Sequence, residues 1–121
     1  MIWAAALAGG LASVVRYLVS LAYAKRSGRL PWAVFTVNVV GAAIGGVAVG
    51  LSTTGAISPD LRLILVGGVA GGLTTFSTWS VETIQLVMQG RLRTALGSVI
   101  LNLAIGLATA TAGYLLATML S

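Results

Sequence analysis

Gly71-Gly72-Leu73-Thr74-Thr75-Phe76-Ser77-Thr78-Trp79-Ser80 stands in the middle of an apolar stretch that begins at Leu61 and continues to about Gln89. Two glycines followed by five hydroxyl side chains among seven positions are poor helix material, because glycine lowers helix propensity and hydroxyls compete for backbone hydrogen bonds. Residues 61–89 are also too many for one straight membrane span, which takes about 20. A helix broken near residues 71–79 is therefore expected. Non-helical backbone at membrane depth survives only where protein buries it or a wet cavity solvates it, so the break marks a candidate functional site. The competing reading of the same residues is a bent helix with back-bonded hydroxyls.

The rest of the chain has the same solvent preference. Of its 121 residues 58% are hydrophobic and 7% charged, and the mean hydropathy is +1.03. A water-soluble domain carries about 25% charged residues, so an ordinary globular protein is excluded. Disorder is excluded as well, because that much apolar surface does not stay solvated. Cysteine and histidine are both absent, which removes disulfides, zinc sites, thiol nucleophiles and imidazole proton relays. The net charge of +5 does not point to nucleic acid, since the basic residues are few and separated by long apolar runs.

Outward from the central run, residues 2–24 form a first apolar stretch, interrupted by Arg16 and followed by Lys25, Arg26 and Arg29. Residues 32–51 form a second, after Pro31 and with Asn38 in its first half. Residues 52–60, with Gly55 and Pro59, read as a polar turn, and residues 94–120 form the last stretch. The expected fold is an all-α membrane protein: one domain of four transmembrane helices, spans about 2–24, 32–51, 61–89 and 94–120, with the third broken. Ala22-Tyr23-Ala24 has the small-x-small pattern of a signal-peptidase site, but no basic residue precedes the apolar run and Arg16 stands inside it. Gly41 with Gly45, Gly46 with Gly50, Gly67 with Gly71 and Gly68 with Gly72 are four apart, the spacing that lets helix backbones approach in a bilayer.

A polar residue inside the membrane is costly and is a functional candidate by default. Arg16, Asn38, Glu82, Asn102 and the hydroxyl run are the ones here. Arg16 lies close enough to the basic loop to snorkel toward water, and mutual pairing with Glu82 is a second structural reading. Asn38 and Asn102 fit interhelical hydrogen bonding. They also fit a pathway for an anion, which on leaving water needs amide N–H, hydroxyl O–H and the positive edges of aromatic rings. Thr74, Thr75, Ser77, Thr78, Ser80, Phe76 and Trp79 would supply the other two donor types. Catalysis is disfavoured: the chain has no paired carboxylates, and no serine has a base in expected reach.

In these segments the chain resembles the CrcB/Fluc family of small fluoride channels, over essentially all four spans. Gly9-Gly10 followed by Arg16-Tyr17 matches the family's glycine pair and Arg-Tyr, and Pro31 with Val37-Asn38 and Gly41 matches its second span. The run from Gly71 to Thr78, with Glu82, is its signature almost unbroken. The resemblance implies an antiparallel dimer in the membrane with two narrow fluoride pores. It also implies a structural sodium ion at the dimer centre, held by the backbone carbonyls of Gly71 and Thr74. Phe76 would offer its ring edge and Asn38 its amide to fluoride, with Thr75, Ser77, Thr78, Trp79 and Asn102 along the path and Arg16 and Glu82 toward the pore ends.

Several positions depart from the family pattern. Trp79 replaces a second phenylalanine, Ala33 and Val34 replace a Gly-Thr pair, and Ser98 and Asn102 replace a tyrosine and a serine. Lys25, Arg26, Arg29, Arg91 and Arg93 fall in loops of one side against Arg62 on the other, and the richer side is cytoplasmic. Both termini are thus expected outside, in a cell membrane. Such one-sided charge suits a subunit that pairs with a paralogue of opposite bias as well as, or better than, a dimer with itself. Two alternatives to a fluoride exporter remain: a four-helix multidrug-type antiporter, disfavoured because its first span would need a carboxylate, and a poorly conducting subunit of a heterodimeric channel.

Overall fold

A computed structural model describes residues 2–23, 32–74 and 76–120, and within them every side chain except those of Tyr23, Trp32, Phe76, Ser77 and Thr78. The expectations for Lys25, Arg26, Arg29, Pro31 and Thr75 lie outside the described residues. Among the described residues the regular structure is all helical, with no strand. Helix α1 is Ile2–Tyr23, α2 is Trp32–Thr53 and α3 is the short Pro59–Arg62. A π-helical stretch, Leu63–Ala70, continues α3 and leads into α4, Gly71–Leu73; α5 is Phe76–Met88 and α6 is Leu92–Leu120.

Two glycines set the ends of these helices. Gly55 and Gly90 have φ of +80° and +75°, the left-handed conformation that glycine adopts without a Cβ penalty. After α2, Ala56 N–H donates to Leu51 O at 2.9 Å and Gly55 N–H to Ser52 O at 3.1 Å. After α5, Arg91 N–H donates to Leu86 O at 2.8 Å and Gly90 N–H to Val87 O at 3.0 Å. Both are the paired bonds of a Schellman C-cap, which satisfies the orphan carbonyls of a helix end. Because the glycine and not the first polar side chain stops the helix, α2 runs to Thr53, past the expected end at 51, and Ser52 lies in its last turn. The same geometry lets α6 begin at Leu92, ahead of the expected 94. In the first turn beyond, the Ser58 hydroxyl caps α3 by accepting from Leu61 N–H at 3.1 Å, with Pro59 at the position where a missing N–H costs nothing.

Among the described residues, three helical segments are long and apolar enough to cross a membrane: Ile2–Ala22, Ala33–Thr53 and Leu92–Leu120. Their outer surfaces are apolar: Leu7, Leu11, Leu18, Leu103, Leu107 and Leu116 are all exposed. Helix α2 is the central element, packed most extensively on α6, while α1 packs on the π-helical stretch and α4. Close approach explains several glycines. A Cβ on Gly46 would fall on the Ala110 backbone, and one on Gly50 would stand 2.7 Å from Tyr114 O. A Cβ on Gly68 would lie 2.6 Å from Ala5 O, and one on Gly72 would fall on the Gly9 backbone. The pairs 46/50 and 68/72 therefore join helices as their spacing suggested. The pair 67/71 does not: both residues are exposed, and a Cβ on either meets only its own segment, Leu63 or Val66. Adjacent glycines on one helix cannot turn to the same neighbour, and 68/72 take α1.

Candidate functional site

The helical backbone stops at Leu73. Thr74 is extended, with φ −81° and ψ 155°, and helix resumes at Phe76. The interruption is narrower than residues 71–79, because Gly71–Leu73 and the residues from Phe76 onward are helical. A helix that ends in a membrane leaves carbonyls without partners, and α1 supplies donors to them. The single Ser13 Oγ–H bonds back to Gly9 O at 2.9 Å and reaches Gly72 O at 3.3 Å as the longer arm of a shared bond. Arg16 Nη1 donates to Thr74 O at 3.4 Å. Placing a guanidinium at a helix C-terminus also matches the sign of the helix dipole. Thr74 Oγ1 bonds back to Ala70 O at 2.9 Å, to the carbonyl that its own N–H already reaches at 3.0 Å. Arg16 is thus held by the interrupted backbone and not by Glu82.

Thr74 lies against α2. A Cβ on Gly41 would collide with Thr74 Cγ2 and approach Ala70 O at 3.4 Å, so the absence of a side chain at 41 is what admits the interruption to the bundle. A small core of Ala12, Val37 and Leu73 closes the same junction between α1, α2 and α4. Asn38 is one turn of α2 from Gly41, and the structure brings it to Asn102 of α6: Asn38 Nδ2 donates to Asn102 Oδ1 at 3.3 Å. Asn102 Nδ2 donates in turn to Ser98 O at 2.8 Å, with Ser98 Oγ 3.5 Å away. Both amides are part-buried, and Ser98 is 2% exposed.

Trp79 and Glu82 are both half-buried on α5. Glu82 Oε2 is buried and has no hydrogen-bond partner. Thr83 Oγ1 donates to Trp79 O at 2.7 Å, a back-bonded hydroxyl one turn along. Phe76, Ser77 and Thr78 open α5, and the roles expected of their side chains lie outside the described residues, as does Thr75. Gly71 is exposed. Val34, where the family pattern has a hydroxyl, is buried at 4% exposed, so that position is a packing contact. Two participants were not singled out from sequence. Ser13 is one turn before Arg16 and one after Gly9, a spacing that puts all three on one face. Ser98 is one turn before Asn102, and from sequence it is only a departure from the family pattern.

The family model described as "CrcB-like protein, Camphor Resistance (CrcB)" matches residues 3–114. The "Fluoride-specific ion channel FluC 1" of Yersinia pseudotuberculosis is 41% identical over 111 residues, covering 91% of this chain and 87% of the relative. "Fluoride-specific ion channel FluC 2" of Mycobacterium tuberculosis is 38% identical over 112 residues, 92% and 86% of the two chains. "Fluoride-specific ion channel FluC" of Clostridium perfringens is 38% identical over 116 residues, 94% and 91%. With three membrane-length helices among the described residues and a family model that matches residues 3–114, the chain is a multi-pass membrane protein of the CrcB family.

Proposed function

We propose that this chain forms a fluoride-selective channel that lets the anion leave the cell passively and so lowers its cytoplasmic concentration. The observation that carries the reading is the likeness, over nine-tenths of the chain, to proteins named as fluoride-specific ion channels. The site chemistry supports it. Fluoride is small and strongly hydrated, so a lining must return hydrogen bonds for those it removes. Amide N–H from Asn38 beside Asn102, hydroxyls of Thr75, Ser77 and Thr78, and the ring edges of Phe76 and Trp79 are donors of that kind. Chloride, being larger and a weaker acceptor, gains less from the same groups. Glu82 is the charge toward a pore end, while Arg16, expected there as well, has its guanidinium on the Thr74 carbonyl.

In this reading the segment from Pro59 to Met88 is a fourth, broken crossing. Two subunits, this chain with a second copy or with a paralogue, lie antiparallel in the plasma membrane, surrounded by lipid. A structural sodium ion at their centre fits the donors: the Gly71 and Thr74 carbonyls are hard oxygens at the C-terminal end of a helix, where a cation is favoured. Thr74 O already accepts from Arg16, and a carbonyl oxygen has a second lone pair. Two carbonyls are too few for such an ion, and the exposed Gly71 leaves them accessible to a second copy. The ion would tie the two interrupted segments together. Positive charge on one set of loops would orient the termini outside, and a chain fixed in that way pairs antiparallel only with a paralogue of opposite bias.

Fluoride efflux from liposomes holding this chain alone, read with a fluoride electrode and repeated with chloride, tests the reading. Fast efflux of fluoride without chloride is the expected result. A folded sample that passes neither anion would sink the self-sufficient channel and favour the heterodimeric subunit; co-expression with a paralogue then restores flux. Efflux of an organic cation against protons would support the antiporter.

A further inference from the structure

We infer that Asn102 is a positioning residue for Asn38: its carboxamide, locked by Ser98, dictates that Asn38 keeps its N–H side and not its C=O side turned to the α2–α6 seam. The three groups form a chain of hydrogen bonds with one direction. Asn38 Nδ2 donates to Asn102 Oδ1 at 3.3 Å, and Asn102 Nδ2 donates to Ser98 O at 2.8 Å. Reversing the Asn102 amide would set its oxygen against the Ser98 carbonyl and its NH2 against the NH2 of Asn38. Both contacts would be repulsive, in a seam where water is scarce and unpaired polar groups are costly. Ser98 is the anchor, being 2% exposed and fixed in the backbone of α6. The seam itself cannot slide, because Gly46 and Gly50 of α2 are pressed on Ala110 and Tyr114 of α6.

The consequence concerns selectivity. An asparagine with a free rotor offers either a donor or an acceptor, and only the donor side attracts an anion. The bond to Asn102 takes one Nδ2 hydrogen and fixes the plane of the Asn38 amide. Asn102 commits one hydrogen to Ser98 O at 2.8 Å, with Ser98 Oγ 3.5 Å from the same nitrogen, so its amide nitrogen is directed at Ser98 and its oxygen at Asn38. This assignment rests on the fluoride-channel reading for its flux consequences, but the hydrogen-bond chain stands without it.

Two measurements on the full chain test the assignment. In liposomes, Asn38→Ala and Asn102→Ala each lower fluoride efflux about tenfold, and the double variant falls no more than about twofold below Asn38→Ala, because the second change acts through the first. Losses that multiply to about a hundredfold would make Asn102 an independent lining donor and overturn the proposal. In micelles, the Asn38 side-chain N–H resonances, assigned by their loss in Asn38→Ala, move upfield in Asn102→Ser as the bond is lost. Unmoved resonances overturn the proposal even where Asn102→Ala fails to fold. A wild-type chain that passes no fluoride would refute the function reading, while the resonance shift still decides the positioning.

Discussion

Gly72→Ala separates two opposed effects of the same methyl group. Within a helix, alanine is favoured over glycine by about 1 kcal/mol, so an unobstructed replacement stabilises. At position 72 the added Cβ would fall on the Gly9 carbonyl oxygen and lie 2.8 Å from Gly9 Cα and 2.9 Å from its carbonyl carbon. These atoms are backbone, so no rotamer change relieves the clash and α1 must move away from α4. Overpacking of this kind costs about 1–3 kcal/mol, and a rigid obstacle places it at the upper end. The shift also stretches the Ser13 bond to Gly72 O and the Arg16 bond to Thr74 O, already 3.3 and 3.4 Å. The expected net loss is about 2 kcal/mol, or a fall in Tm of about 8 °C at about 4 °C per kcal/mol. Gly10→Ala and Gly106→Ala are the comparators, since a Cβ at either meets nothing within 4 Å; both should match the wild type or exceed it slightly. Tryptophan fluorescence on heating the purified protein in detergent reads all three. A Gly72→Ala protein as stable as the wild type, or a Gly10→Ala protein destabilised equally, would refute the close-approach account.

Other perturbations separate structure from conduction. Phe76→Ile should suppress fluoride efflux from liposomes while gel filtration shows an unchanged folded species; normal efflux would remove this ring from the pathway. Asn38→Ala should weaken efflux well beyond Ser52→Ala, because Ser52 lies at the far end of α2 in its last turn, and equal effects would deny Asn38 its role. Arg16→Met keeps an unbranched apolar stem but removes the donor to Thr74 O. It should lower stability by about 1 kcal/mol, as expected for a long charge-assisted bond, and an unchanged Tm would mean the guanidinium does not cap α4. A C-terminal tag accessible only from outside the cell would fix the orientation and call for a paralogous partner, whereas a signal from both faces would reject a fixed orientation and fit two antiparallel copies.

The long helices were legible because apolar runs of membrane length have few other uses, and Ile2–Ala22, Ala33–Thr53 and Leu92–Leu120 follow them closely. Their ends were less legible. Polar composition placed the turn after α2 at residue 52, whereas the left-handed Gly55 places it at Thr54. Propensity also overstated the extent of the interruption. Gly72 is poor helix material in isolation, yet it stays helical because its bare Cα is what lets α4 touch Gly9, a relation between segments that no local scale contains. The widened turn over Leu63–Ala70 has no sequence signal that we can identify.

The candidate site shows the same boundary between what one residue and what a pair of residues can reveal. The cost of polarity in lipid pointed separately to Arg16, Asn38 and Asn102. That rule says a group needs a partner; it does not say which, because the partner depends on how two helices are rotated against each other. Arg16 could have reached water or Glu82, and the structure gives it the Thr74 carbonyl. Asn38 and Asn102 could each have bonded to any neighbouring backbone, and the α2–α6 seam sets them against each other. From sequence Ser98 is only a missing tyrosine, yet its carbonyl fixes the Asn102 amide and, through it, the face that Asn38 presents. The sign of the interaction at this seam is therefore decided by a third residue with almost no surface of its own, and a search for exposed donors alone would pass it by.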